Sequence, residues 1–520
     1  MLSLLNSALL ATGALAIALP CGTILAVLLT RFSIHGRRFA VACLGVLLFL
    51  PLYVQLSAWD AAFGKLGWFT VSHGSLAQPF LSGLRGAICI HGLAAIPWVT
   101  LIVALGMMQL DRTQEEAALL VVPSRSVLWR ITLPQSVPFL IAAAIWTVIG
   151  TISEMTVTNI YLINPDQWTF TERFYMSWSL QHEPISKIDY LIGIGFLAFV
   201  MVLTLRIVDQ YARFAHSPSV AAIHPFITNC TFPATLILWG IVILLVGVPL
   251  ASLCSKAGFV VLHANSERIP SWSLFKCLTE VAQAPLRFSA ELRGTLLTAG
   301  LAATAALAIA LPLAWLARRR RWSSIPATLV AAVAIAVPGP LVGVGLIALL
   351  NHDLPPHLPF TDGTIKSWLL LLYDNTPLAP VVAQSIRALP PTILLLWYSF
   401  ATLNPDVLAA ATLAGLSQSR VLWKIAIPQR WRTVTAAWIV AFAVAAGDLA
   451  WCHLVTPPGL DLLQRRIFGL VHSGVEEQVA AISLLVITLY AVLATAILWL
   501  MDFKHQPLTR SIGASAVRVS

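Results

Sequence analysis

Long apolar runs separated by short polar breaks set the rhythm of this chain. A membrane helix needs about 20 mostly apolar residues, and about eleven such runs can be marked. They lie near 5–30, 40–60, 87–109, 138–161, 189–209, 233–255, 293–317, 327–350, 378–402, 432–452 and 478–501. The first begins almost at Met1 without a basic leader, which predicts a retained span and not a cleaved signal. The pattern predicts an all-α polytopic membrane protein.

The polar breaks carry a repeat. Val127-Leu128-Trp129-Arg130-Ile131-Thr132-Leu133-Pro134-Gln135 returns as Val421-Leu422-Trp423-Lys424-Ile425-Ala426-Ile427-Pro428-Gln429. Upstream, Ala11–Pro20 matches Ala303–Pro312 at all but one position. The two matches share nearly the same spacing, so a duplicated five-helix unit explains both. Pro51 and Pro338, and Pro97 and Pro390, fall at comparable places. The run at 233–255 has no partner in the first half. Six helices between equivalent points keep the repeats parallel, which puts both repeated loops on one side. The predicted organisation is a first half over 1–215 with its loop at 111–137. A linker, extra helix and polar outer loop fill 216–292. A second half covers 293–505 with its loop at 403–431, and a tail covers 506–520. The extra helix leaves the halves unequal, or else the true start lies upstream.

Composition fits this picture. The chain has 520 residues, 58% hydrophobic and 10% charged, with mean hydropathy +0.84. So little charge excludes an ordinary soluble domain. The net charge of +10 reflects loops on the cytoplasmic side and does not point to nucleic acid. With the loop at 31–40 placed in the cytoplasm, about 19 of the 32 basic residues fall on that side. The N-terminus is then outside and the C-terminus inside. The seven cysteines show no CxxC spacing, which argues against a zinc or redox site. The polar loop between Lys256 and Arg293 reads as an outer cap with an amphipathic stretch near Trp272–Leu292.

Each repeated loop reads as two short helices joined by a turn. Thr113 and Glu116 form a capping-box pattern, Pro123 ends the first helix, and Pro134 stops a second that starts near Ser124. In the second copy Asn404 caps, Pro405 takes the first helical position and Gly415 ends the helix. Trp129 and Trp423 suit an interface.

Glu116-Ala117-Ala118 followed by Ile131-Thr132-Leu133-Pro134 resembles the EAA loop of ATP-binding-cassette (ABC) importer permeases. Ala409-Ala410-Ala411, Gly415, Ile425 and Ile427-Pro428 keep that spacing in the second copy. The first copy has Val121 or Val122 where the pattern has glycine and is one residue short. The second has Ala409 for glutamate and Ile427 for leucine. The fused arrangement is similar to the two-in-one permeases of iron(III) and thiamine importers. The resemblance implies that Glu116, Ala117, Ala118, Val122, Trp129, Pro134, Ala409, Ala410, Gly415, Trp423 and Pro428 form coupling helices. These would dock on a cytoplasmic ATPase homodimer that holds ATP and Mg²⁺, while this chain holds no cofactor. It further implies an external solute-binding protein, membrane lipid around the spans, and a bacterial plasma (inner) membrane location. Glu116 either caps its own helix or meets the ATPase; Gly415 reads more simply as a C-cap.

Ionisable groups inside spans are costly and call for a role. Glu154 and Asp448 are separated by the same interval as the two loops, in the span after each. They either line the passage, favouring a cationic solute, or pair within the bundle with Arg387, His91 or His453. Thr156, Thr158 and Asn159 are candidates for the same wall. No metal-ligand cluster, phosphate loop, HExxH or nucleophile elbow occurs, so the chain is not expected to be an enzyme. The expected substrate leans to iron(III), with thiamine or a polyamine behind. The competing reading is an ion-coupled secondary transporter built from repeats, for which the paired loops have no evident purpose.

Overall fold

The computed structural model describes residues 2–65, 67–72, 79–180, 195, 198–203, 206, 225–227, 231–264, 267–318, 323–351 and 363–501. The expected span at 189–209, the arginine run at 318–321 and the tail at 506–520 lie mostly or wholly outside these residues. Among the described residues, six helices are long and apolar enough to cross a membrane, or nine if three bent pairs each count as one. A shorter apolar helix, Trp431–Ala446, adds to them. The all-α membrane class stands, with one departure. Phe259–Ala264 and Glu267–Trp272 form an antiparallel hairpin within the loop between Lys256 and Arg293.

Each half is built on three helices packed closely together. In the first these are Leu2–Arg31, Gly83–Met108 and Val137–Ser153; in the second they are Ser289–Ala317, Leu378–Ala401 and Trp431–Ala446. Apolar lipid gives helices no reason to associate through hydrophobicity alone, so close backbone approach by small residues does the work. The first half uses glycine. A Cβ on Gly106 would lie 2.2 Å from Phe139, and one on Gly22 would lie 2.6 Å from Val99. The second half uses an alanine stripe, Ala303, Ala306, Ala310, Ala314 and Ala317, all fully buried.

Several of the expected spans are interrupted. Arg37–Phe49 turns by 107° into the next helix at Pro51, and Ile325–Ala336 turns by 102° into the next at Pro338. Proline cannot continue the ladder of the preceding helix, and its predecessor avoids helical backbone; Leu50 and Val337 are both extended. The expected helix at 138–161 ends at Ser153 and resumes as Thr156–Tyr161. The one at 432–452 ends at Ala446.

A chain of contacts fixes which ends share a face. Phe226 and Ile227 donate to the Arg31 carbonyl, so the helix Thr231–Val242 starts beside the end of the first span. That span, Phe232–Ala257, ends at the opposite face, where Lys256 pairs with Glu476 at the head of Glu476–Met501. Ser289–Ala317 returns, and Arg318 at its end binds Gln418 in the second repeated loop. One crossing out and one back put both repeated loops on the same face. The last span seals the halves together: Ser57 and Ser483 hydroxyls lie 3.1 Å apart, and the Tyr490 hydroxyl donates to the Ala443 carbonyl at 2.8 Å.

Candidate functional site: paired loops and two acids at a seam

The first loop begins two residues earlier than the capping-box reading. Asp111 is the cap, accepting from the Thr113 amide at 3.0 Å, and the helix runs Arg112–Leu119. Thr113 therefore lies inside the helix, and Glu116 does not close a box with it. Asp111 wins because its carboxylate reaches both the amide and the hydroxyl of Thr113. Pro123 does not end this helix; it heads the next one, Ser124–Val127.

Pro134 does not stop the second limb either. A wide π-type turn, Leu128–Thr132, carries the chain into Leu133–Gln135, and the same turn recurs at Leu422–Ala426 before Pro428. Proline in a regular helix clashes with the carbonyl four residues back. One turn of five-residue bonding, Leu133 N to Leu128 O, relieves that clash. The bend comes afterwards, 60° between Ser124–Gln135 and Val137–Ser153.

The residue that holds the first loop is Glu115, which the motif had passed over. It is buried, with Arg31 Nη2 at 3.1 Å and the Thr132 hydroxyl donating at 2.7 Å. Arg31 also donates to the Met107 carbonyl at 2.7 Å. Gln135 donates to Gln114 at 2.7 Å, a second tie between the limbs. Glu116 and Ala117, on the neighbouring faces of the same helix, are exposed, and Ala118 and Val122 are half-buried.

The second loop follows the sequence expectation closely. Asn404 accepts from the Asp406 amide at 2.9 Å, the helix runs Pro405–Leu413, and Gly415 has φ +75°. Leu416 N then reaches the Ala411 carbonyl at 3.1 Å, closing the helix end. Here the clasp is different. Arg318 lies 3.2 Å over the Trp315 ring and donates to Gln418 at 3.1 Å. Arg430 donates to the Thr402 carbonyl at 2.7 Å. A cavity of about 330 Å³ opens between Arg318, Phe400, Leu403, Leu408 and Val421.

Both loops present the same outward pair. Trp129 is 71% exposed and Trp423 62%; Leu120 and Leu413, at the tip of each first limb, are 89% exposed. The leucines were not singled out by the motif. Pro134, Pro428, Ala409 and Ala410 are exposed beside them.

The two acids sit at matching breaks. Glu154 is the residue after Ser153, where the helix unwinds, and it caps the next helix. Its carboxylate accepts from the amides of Thr156 at 2.8 Å and Met155 at 3.2 Å and from the Thr156 hydroxyl. Asp448 follows the end of Trp431–Ala446 and accepts from the Trp451 amide at 3.2 Å. Unwound backbone at membrane depth is tolerated where protein or a cavity surrounds it. Asp448 lies within electrostatic reach of both Arg387 and Glu154. Among the described residues neither acid lies within 4.0 Å of a cationic nitrogen, while His91 lies within electrostatic reach of Glu154 as Arg387 does of Asp448. The Arg387 guanidinium stands 6.0 Å from the Trp451 ring.

These groups meet at the seam between the halves, where Met155 packs with Ala379, Ala383, Ala450 and Trp451. One turn before Arg387, Gln384 is fully buried with neither amide atom hydrogen-bonded. Thr158 and Asn159 face elsewhere: both donate to Glu172, at 3.0 and 2.7 Å. Glu172 is a buried acid that no local pattern marked, because its partners lie on another element.

A duplicated bundle of apolar helices, with paired loops on one face and charged groups at matching helix breaks, fits a membrane transport protein. The sequence pattern of the family described as "Binding-protein-dependent transport system inner membrane component" matches residues 18–220 and again 298–508. The chain belongs to that family, as two fused halves, and is a permease of the ABC importer class. It is similar to the spermidine/putrescine transport system permease protein PotC of Escherichia coli (strain K12), 32% identical over 94 residues. That match covers 18% of this chain and 36% of the relative. The protein of the same name from Haemophilus influenzae is 30% identical over 125 residues, 24% of this chain and 44% of the relative. The chain thus spans less than half the length of the curated relatives it matches.

Proposed function

We propose that this chain forms the whole solute passage of an importer, moved by a separate ATPase dimer that grips Leu120, Trp129, Leu413 and Trp423. Exposed aromatic and leucine side chains on short rigid helices suit a protein groove, and tryptophan is prominent among residues that dominate such interfaces. On this reading the loop face is cytoplasmic, and an external binding protein delivers solute to the other.

The solute is a cation, and an organic polyamine is favoured. The observation that carries this is the pair Glu154 and Asp448, one from each half, at equivalent breaks of the seam. Their fields add at one place, which concentrates positive charge. The relatives above are spermidine/putrescine permeases, so the expectation of iron(III) finds no support in them. The site chemistry agrees. Both acids spend part of their capacity on backbone amides, and among the described residues no group of three or more His, Cys, Asp or Glu could hold a metal ion. An extended ammonium chain suits two acids in separate halves better than a compact hard ion does.

The test is reconstitution with the cognate ATPase and binding protein. ATP-dependent uptake of labelled spermidine or putrescine, lost in the Glu154→Gln, Asp448→Asn double variant, is the expected result. Uptake driven by an ion gradient without nucleotide overturns the importer reading. ATP-dependent uptake of thiamine or iron(III) alone overturns the substrate.

A further inference from the structure

We propose that the helix Leu274–Arg287 is an in-plane anchor, held in the boundary layer of the bilayer on the face opposite the paired loops. The helix carries two apolar stripes where a surface helix needs one. The first comprises Cys277, Ala284 and, just beyond the end, Phe288; all three are buried. Cys277 packs among Ala58, Leu253, Ala257 and Ala480, and Ala284 and Phe288 join the main core. The second stripe is Leu274, Phe275, Leu278, Ala282 and Leu286, at helical spacing. It faces outward, and its four large side chains are 58–79% exposed.

The height of the helix identifies what covers that stripe. It lies between Ala257, where one span ends, and Ser289, where the next begins. Both ends belong to the face opposite the loops, since Ser289–Ala317 runs from there to Arg318. Lys276 ties the helix to the head of the last span, donating to Glu477 at 2.8 Å, and to the Phe259 carbonyl at 2.6 Å. Two half-exposed indoles mark the same level. Trp68 donates to Ser252 at 3.2 Å, and Trp272 donates to the Cys254 carbonyl at 3.1 Å. Tryptophan in this setting belongs to the interfacial belt. The stripe therefore continues the lipid-facing surface of the spans, and acyl chains near the headgroups are its partner.

The polar side of the helix predicts the kind of attachment. Arg287 is paired with Glu280 at 2.9 Å, and Lys276 with Glu477. Both cations are already neutralised by the protein. Attachment then rests on apolar area and is indifferent to headgroup charge.

Photo-cross-linking of the native chain in nanodiscs tests this. The probe is phosphatidylcholine with a diazirine near the glycerol end of its acyl chain, read by peptide mass spectrometry. The spans Phe232–Ala257 and Glu476–Met501 serve as internal controls. Label on Leu274, Phe275, Leu278, Ala282 or Leu286, sparing Lys276, Glu280 and Gln283, is expected. Its yield should change less than twofold when phosphatidylglycerol replaces half of the lipid. Controls labelled while 274–287 is clean overturn the proposal, as does label spread evenly over all faces or dependent on the anionic lipid. The Leu278→Glu, Leu286→Glu variant should lose the helix label and keep that of the controls.

Discussion

Arg31 and Glu115, 84 residues apart in sequence, meet at 3.1 Å with both side chains almost wholly removed from solvent. The pair pins the end of the first span to the first limb of its loop. Thr132 adds the second limb to the same carboxylate. Span and loop must then move together, as the proposed lever between an ATPase and the passage requires.

Breaking a buried, hydrogen-bonded ion pair by removing one member is strongly destabilising, at a cost of about 3–5 kcal/mol. Glu115→Ala is expected to lower the stability of the purified chain by that order. Glu116→Ala, on an exposed position, should change it by less than about 0.5 kcal/mol. Thermal unfolding of both variants in the same detergent checks the difference; equal losses would remove the special standing of Glu115.

Trp129→Ala and Trp423→Ala should each weaken ATPase assembly by about 2 kcal/mol, roughly 30-fold in Kd. Leu120→Ala and Leu413→Ala should act in the same direction and by less. Titration of the reconstituted chain with the ATPase reads this directly. Unchanged affinity in all four variants would mean that these side chains meet lipid or water instead.

Glu154→Gln keeps a carbonyl oxygen to cap Thr156–Tyr161 but removes the charge. Asp448→Asn likewise leaves an acceptor for Trp451. Both should leave assembly and thermal stability near the parent while transport of a polyamine falls at least about tenfold, about 1.4 kcal/mol in the barrier. Glu172→Gln is the control, since that acid faces Thr158 and Asn159 and not the seam charges.

Gly415 has φ +75° and open space around its Cα. Substitution costs conformational energy alone, about 1–2 kcal/mol for alanine and less for asparagine, which enters this region more readily. Gly106→Ala tests the other use of glycine. There the added methyl meets Phe139 at 2.2 Å, and overpacking of about 1–3 kcal/mol is expected. Circular dichroism melts of the three variants separate the two causes.

The chain announced its membrane class, its duplication and the place of both loops, because these are written in local signals: apolar length, spacing, and cap residues such as Asn404 and Gly415. A cap or a span is decided within a few residues, so sequence is enough. Which of two adjacent glutamates enters the core was not decided that way. Glu115 and Glu116 differ by about 100° around the helix axis, and only the packing against Arg31 and Thr132 tells which one turns inward. The breaks at Glu154 and Asp448, the turning of Thr158 toward Glu172, and the outward stripe of Leu274–Arg287 are of the same kind. Each depends on what another part of the chain brings alongside, and that is set by the tertiary fold.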